Sequence, residues 1–288
     1  MTGFGRTVLM ALSGVAMSAL ALTLANAATL EQIKKSGTIR IAVANEIPYG
    51  YVDPKGEALG AGPTVAKKLM EKLGIEKIEW VTTSFSSLIP GLQADRFDMV
   101  AAEMAILPDR CKTVLFSEPN TSYGEGLLVA AGNPKDIKTY EDFAKNSALK
   151  VAIMAGADQL EMMQALGVAE GNLVTIASNA DAISTVSTGR ADAYAATSLT
   201  VSGLASQNDG VEVASDFADP VVNGKEVRSW GGFTFASGNE SLRDAVNDAL
   251  SEFKKMPEWK EIVTGYGFTE ADVSGSTAHT TADLCSAD

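Results

Sequence analysis

The chain has 288 residues, of which 36 are acidic and 23 are basic, so its formal net charge at pH 7 is −13. This acidic balance argues against nucleic acid and anionic membrane surfaces as partners. Hydrophobic residues make up 46% of the sequence, which is enough for the cores of one large or two ordinary domains.

The N-terminal segment has the pattern of a secretory signal. Arg6 precedes an apolar run over residues 8–24, and the small-x-small sequence Ala25-Asn26-Ala27 follows it. We predict a signal peptide over residues 1–27, cleavage after Ala27 and a periplasmic location for the mature protein. The alternative is a retained membrane anchor, for which the apolar run is of marginal length.

The predicted elements of the next part of the chain alternate between strands and helices. Runs rich in apolar and β-branched residues predict strands over 38–44, 78–81 and 98–102. Apolar residues at helical spacing predict helices over 63–73 and 86–94 between them. This order is typical of an α/β sheet with crossover connections.

The middle of the chain repeats this pattern, so we predict a second α/β unit. Its strands are expected over 149–154, 173–176 and 191–195, and its helices over 158–166 and 179–188. Extended runs over 122–129 and 227–235 connect the units, and two further helices are expected over 240–254 and 258–266. If the last helices pack on the first unit, the chain crosses twice between the units and forms a hinge around a cleft.

The candidate binding residues follow the predicted strands, because ligands of open α/β sheets bind beyond the carboxyl ends of their strands. These positions hold Glu46, Tyr49, Phe85, Glu103, Ala105, Arg110, Gly156, Ala157, Asp158 and Thr197.

Several of these side chains suit a small solute that carries both charges. Arg110 can clamp a carboxylate with two parallel hydrogen bonds, whereas Glu46 can hold a cationic group. Tyr49 and Phe85 can face a cation with their rings, and the N–H groups of Gly156 and Ala157 can bind an anionic end.

Structural interpretations of the same residues stay open. Arg110 can equally pair with a surface carboxylate, and the two aromatic residues can belong to the core or to the rim of the cleft. Glu103 can face the cleft or pair with Arg110.

The sequence has two cysteines, Cys111 and Cys285. An even number of cysteines in an exported chain favours a disulfide between them over two free thiols. Such a bridge would fasten the C-terminal segment to the region of Arg110.

No pattern in the sequence indicates catalysis. The chain has a single histidine, His279, and lacks metal-type clusters, a phosphate-binding glycine loop and an H-E-x-x-H sequence. We therefore predict a binding protein without cofactor or metal, not an enzyme. Paired carboxylates are always possible in so acidic a chain, so Glu46 with Glu103 is a weak signal for acid–base catalysis.

Several blocks of the sequence resemble the polar-amino-acid-binding proteins of ABC importers, solute-binding family 3. They are Leu30-Glu31-Gln32-Ile33 with the strand after it, Phe85-Ser86-Ser87-Leu88, Leu107-Pro108-Asp109-Arg110, Phe116-Ser117-Glu118-Pro119 and Gly189-Arg190-Ala191-Asp192-Ala193. The resemblance implies a two-lobed fold in which each lobe is a mixed sheet flanked by helices. It implies lobe 1 over 28–122 plus 231–288, lobe 2 over 123–230, a two-strand hinge, a monomer and an ABC permease as partner.

Within this family the chain is most similar to the ectoine- and hydroxyectoine-binding proteins. The resemblance assigns the cation-binding carboxylate to Glu46, the aromatic walls to Tyr49 and Phe85, and the carboxylate-binding arginine to Arg110. Thr197 stands where the family has an aspartate that binds an α-amino group, which argues against an ordinary amino acid as ligand. Ala105 replaces an expected aromatic residue and Glu103 an expected glycine, so a larger or more cationic solute than ectoine is expected.

A second functional hypothesis comes from exported relatives that resemble cyclohexadienyl dehydratase, in which carboxylates of the cleft act in acid–base catalysis. Glu46 and Glu103 would have that role here.

Overall fold

The computed structural model describes residues 28–222 and 224–286. The predicted signal peptide lies outside the described residues. Within them, no helix combines the length and the apolar character that a membrane span needs.

The strands in chain order are β1 (Thr38–Val43), β2 (Tyr51–Val52), β3 (Ala58–Leu59), β4 (Lys77–Thr82), β5 (Met99–Ala105), β6 (Val114–Phe116), β7 (Thr121–Tyr123), β8 (Glu125–Ala130), β9 (Val151–Met154), β10 (Leu173–Ile176), β11 (Ala193–Thr197), β12 (Val211–Val213), β13 (Val221–Val222), β14 (Lys225–Glu226) and β15 (Ser229–Ala236). The helices are α1 (Leu30–Ser36), α2 (Ala61–Lys72), α3 (Leu88–Gln93), α4 (Pro108–Cys111), α5 (Glu141–Lys145), α6 (Gln159–Ala165), α7 (Asn179–Ser187), α8 (Ser198–Ala205), α9 (Glu240–Phe253), α10 (Pro257–Gly265), α11 (Glu270–Gly275) and α12 (Thr281–Ser286).

The first sheet has the order β4-β1-β5-β15-β6, and β7 also pairs with β15. β1 lies parallel to β4 and β5, whereas β15 runs antiparallel to β5, β6 and β7. Every residue of β5 is buried, because this strand lies inside the sheet and its faces are covered. The predicted α/β fold with mixed sheets is confirmed for this part of the chain.

The second sheet has the order β10-β9-β11-β8-β12. β9 is parallel to β10 and β11, and β8 is antiparallel to β11 and β12. Gly124 alone separates β7 of the first sheet from β8 of the second, and the chain returns to the first sheet at β15. The architecture is therefore two mixed sheets connected by two passages of the chain, which is the two-lobed fold that the sequence predicts.

Each sheet has its own apolar core. Helix α9 contributes Leu242, Val246 and Leu250 at a spacing of four residues to the core of the first sheet, and α10 contributes Trp259 and Val263. The two C-terminal helices thus pack on the first unit, as the sequence analysis required for a second crossing. The division at residues 122/123 and 230/231 stays a proposal.

The C-terminal segment is more ordered than its Ser- and Thr-rich sequence suggests. Thr269 begins α11 with a capping box, in which its side chain and that of Asp272 bind each other's backbone N–H groups. Helix α12 carries Cys285, which forms a disulfide with Cys111 of α4. The predicted disulfide is confirmed, and it joins the end of the chain to the turn that carries Arg110.

Candidate ligand-binding site

A cavity lies between the two sheets, at the carboxyl ends of β1, β5, β9 and β11. The space inside it that a water-sized sphere can occupy is about 30 Å³, so the cleft is nearly closed and has room for only a few water molecules. Eight of the ten candidate residues line it: Glu46, Tyr49, Phe85, Glu103, Ala105, Ala157, Asp158 and Thr197. Arg110 and Gly156 do not line the cavity but bind each other beside it.

Glu46 and Tyr49 follow β1 and bind the opposite side of the cavity. The Thr200 hydroxyl donates to Glu46 Oε1 at 2.9 Å, and the Tyr49 hydroxyl donates to Thr197 Oγ1 at 2.7 Å. Glu46 is only 7% exposed, and this burial is the main reason why its pKa is raised. Thr197, which begins α8 as its N-cap, therefore acts as a polar contact between the two units.

Glu103 lies inside the cavity and accepts hydrogen bonds on both carboxylate oxygens. Asn120 Nδ2 donates to Oε1 at 2.6 Å, and Thr121 Oγ1 donates to Oε2 at 2.7 Å. Burial raises the pKa of Glu103 to about 7, although both hydrogen bonds favour its charged form. The φ angle of Glu103 is 48°, in the left-handed region that suits glycine, which explains the glycine expected here.

Arg110 is nearly buried, and its guanidinium connects the two units through backbone carbonyls. Nη1 donates to Ala105 O at 2.9 Å and Nη2 donates to Gly156 O at 3.0 Å, while the guanidinium carbon lies 5.7 Å from the centre of the Phe85 ring. Each terminal nitrogen thus donates one hydrogen bond to the protein, and the carboxylate clamp stays a prediction. Three N–H groups of the guanidinium remain.

Of the two N–H groups in the predicted anion site at Gly156 and Ala157, one has a partner within the protein. The Ala157 N–H donates to Met154 O at 3.0 Å, so this donor is occupied within its own turn. Gly156 has a φ angle of 84°, and a Cβ placed there would lie 3.1 Å from Ser86 Cα of the opposite unit. The absence of a side chain at Gly156 therefore allows the two units to approach closely at this point.

The structure adds Gln159 to the site and shows the contacts of Asp158. Asp158 is 7% exposed, and its carboxylate accepts from Ser229 Oγ at 3.2 Å instead of capping α6. Gln159 Nε2 donates to Glu125 Oε2 at 2.6 Å. The sequence placed Asp158 after a strand but gave it no role, since only the fold shows that its carboxylate faces the cavity. Tyr123, Met154 and Tyr194 also line the cavity.

The electrostatics of the cavity are dominated by carboxylates. Glu46, Glu103 and Asp158 all line it. Among residues 28–222 and 224–286, no nitrogen of a Lys, Arg or His side chain lies within 4.0 Å of these three carboxylates. Burial without a counter-charge raises the pKa of Glu46 and of Glu103, so a cationic ligand would stabilise their charged forms.

Comparison with known proteins identifies relatives over most of the chain. Residues 39–270 match the family described as bacterial extracellular solute-binding proteins, family 3. A probable amino-acid ABC transporter periplasmic-binding protein of Sinorhizobium fredii is 55% identical over 269 residues, covering 93% of this chain and 89% of the relative.

Two solved structures are also similar to this chain. EhuB in complex with hydroxyectoine superimposes with a TM-score of 0.81 at 31% identity, covering 90% of this chain and 98% of EhuB. The ancestral amino-acid-binding protein AncCDT-1, a precursor of cyclohexadienyl dehydratase, has a TM-score of 0.71 at 30% identity, covering 84% of this chain and all of that protein.

Proposed function

Because the chain belongs to the bacterial extracellular solute-binding proteins of family 3, we propose that it is the periplasmic binding component of an ABC importer. It captures a small zwitterionic or cationic solute between its two units and delivers it to a permease in the inner membrane. The 55% identical relative, which is named as a periplasmic-binding protein of an amino-acid ABC transporter, supports this proposal.

The observation that carries the proposal is an acidic cavity with hydrogen bonds across it from both units. Tyr49 binds Thr197, Thr200 binds Glu46, and Arg110 binds Gly156. These bonds are local and few, so they suit a hinge that closes over a solute and opens again. The hydroxyectoine complex of EhuB supports a ligand of the same size class.

The proposal is tested by titration calorimetry of the mature protein, residues 28–288, against ectoine, hydroxyectoine, arginine, lysine, ornithine, putrescine and agmatine. We expect saturable binding of one molecule per chain for at least one of these solutes. Absence of binding for all of them contradicts the proposal.

The variant Arg110→Ala tests whether the hydrogen bonds of Arg110 between the two units contribute to solute binding. It removes the hydrogen bonds that the guanidinium donates to Ala105 O and Gly156 O. We expect the affinity for the solute to fall by about tenfold or more, because each hydrogen bond to a charged group contributes about 1.5–3 kcal/mol. Lys112→Ala is the matched control, since Lys112 is exposed two residues further on. Equal solute affinities of the two variants would show that Arg110 does not contribute to ligand binding.

A second candidate function is an exported enzyme that resembles cyclohexadienyl dehydratase. It is supported by the similarity to a precursor of that enzyme and by Glu103, a cavity carboxylate whose pKa of about 7 suits a general acid. Incubation of the mature protein with prephenate or arogenate tests it. Turnover that is lost in Glu103→Gln supports the enzyme, whereas unchanged substrate rejects it.

A further inference from the structure

Asp158 has features of a ligand contact that the solute-binding role does not by itself require. Its side chain is more than nine-tenths buried and lines the cavity. Oδ2 accepts one hydrogen bond, from Ser229, and no donor within the described residues binds Oδ1. A buried carboxylate with one free oxygen gains most from a cation that enters the cavity.

Glu46 is a second buried carboxylate and lines a different part of the cavity. It belongs to the segment after β1 of the first sheet, whereas Asp158 follows β9 of the second. The negative charge of Asp158 is one of the causes that raise the pKa of Glu46, after burial itself, so the two carboxylates repel each other in the absence of a cation. A ligand with two cationic groups can place one against each carboxylate, since the two carboxylates come from different sheets.

The expected binding partners of a ligand carboxylate are occupied in part. Arg110 directs its terminal nitrogens at two carbonyls, and Ala157 N–H binds Met154 O. A ligand carboxylate bound by the remaining N–H groups of Arg110 would lie beside Gly156, which belongs to the same connection between β9 and α6 as Asp158. Repulsion from Asp158 therefore disfavours a carboxylate at this end of the cavity.

We propose that Asp158 and Glu46 bind the two ends of a small organic dication that has no carboxylate, such as a diamine or a guanidinoamine. This inference rests on the proposed solute-binding function and narrows its ligand class. It gives Asp158 the role of the residue that determines specificity.

The test compares pairs of ligands that differ in one group. Putrescine and ornithine, cadaverine and lysine, and agmatine and arginine differ only by a carboxylate, whereas putrescine and butylamine differ by one amine. Titration calorimetry of the mature protein should show the first member of each pair binding about tenfold tighter or better, since a mismatched buried charge costs several kcal/mol. Equal or tighter binding of ornithine, lysine and arginine overturns the inference.

The variant Asp158→Asn assigns the effect to this residue. It keeps the shape of the side chain, and thermal unfolding without ligand checks that the variant folds. We expect it to lose roughly thirtyfold or more in affinity for putrescine and to change affinity for butylamine by less than about threefold. An equal loss for both amines overturns the role of Asp158.

The panel separates the inference from the function on which it rests. Saturable binding of ectoine or arginine together with no binding of the dications overturns the inference and leaves the solute-binding function intact. No binding of any solute rejects both. The comparison of ligand pairs on the unmodified protein needs no variant to fold.

Discussion

The two sides of the cavity treat their carboxylates differently. On the side of the first sheet, Glu103 has a donor for each oxygen, and the network continues through Asn120 to Trp259 Nε1 at 2.9 Å. On the side of the second sheet, Asp158 has a single hydrogen bond. This difference indicates that Glu103 stabilises the fold around the cavity, whereas Asp158 has an oxygen available to a ligand.

The largest expected effect comes from removing the framework carboxylate. Glu103→Leu leaves the buried donors of Asn120 and Thr121 without an acceptor, so we expect the free energy of unfolding to fall by about 4 kcal/mol. Glu103→Gln is the matched control, because an amide can still accept from Asn120 and bind Thr121, and it should cost about 1 kcal/mol. Urea denaturation of both variants measures the difference; similar losses would mean that the network contributes little.

The titration of Glu103 gives the next effect. Its pKa is about 7 in the folded protein against an ordinary value of 4.5, so the folded protein retains a proton that the unfolded chain has released. The stabilisation from this proton is complete below pH 4.5 and is lost as pH rises through about 7, a change of about 3 kcal/mol.

Denaturation at pH 4.5 and pH 8 in the wild type and in Glu103→Gln measures this change. We expect the wild type to lose more stability than the variant over this interval, since the variant lacks the proton. If the free energy of unfolding changes equally with pH in both proteins, Glu103 does not titrate in this range and is ionised throughout it.

The smallest expected effect concerns the approach of the two units. Gly156→Ala places a Cβ 3.1 Å from Ser86 Cα, so we expect the affinity for the bound solute to fall by about tenfold, a cost of about 1.4 kcal/mol. Gly167→Ala is the matched control, because Gly167 has the same φ angle of 84° and nothing lies near its Cβ position. Both variants carry the cost of a left-handed alanine, and affinity should fall in Gly156→Ala alone. Calorimetry that finds equal affinities would contradict the importance of this contact.

Much of the fold was predictable from local sequence patterns. Runs such as residues 38–44 and 149–154 predicted β1 and β9 because their apolar and β-branched residues suit a buried parallel sheet. The strand-end rule then brought Glu46, Tyr49 and Thr197 to one cavity, although Tyr49 and Thr197 are 148 residues apart. The helices α11 and α12 were missed because short polar helices at the end of a chain have no apolar periodicity.

The sequence by itself determined the α/β class, the two repeated units, the family resemblance and the cysteines that form the disulfide. Only the tertiary structure decided what each polar group binds. It directs Arg110 to the carbonyls of Ala105 and Gly156, occupies the N–H of Ala157, and leaves one oxygen of Asp158 free in the cavity. The physical reason is that strand patterns are local properties of the chain. Hydrogen-bond partners in a cleft come from distant segments, and each donor binds whichever acceptor the packed backbone places within reach.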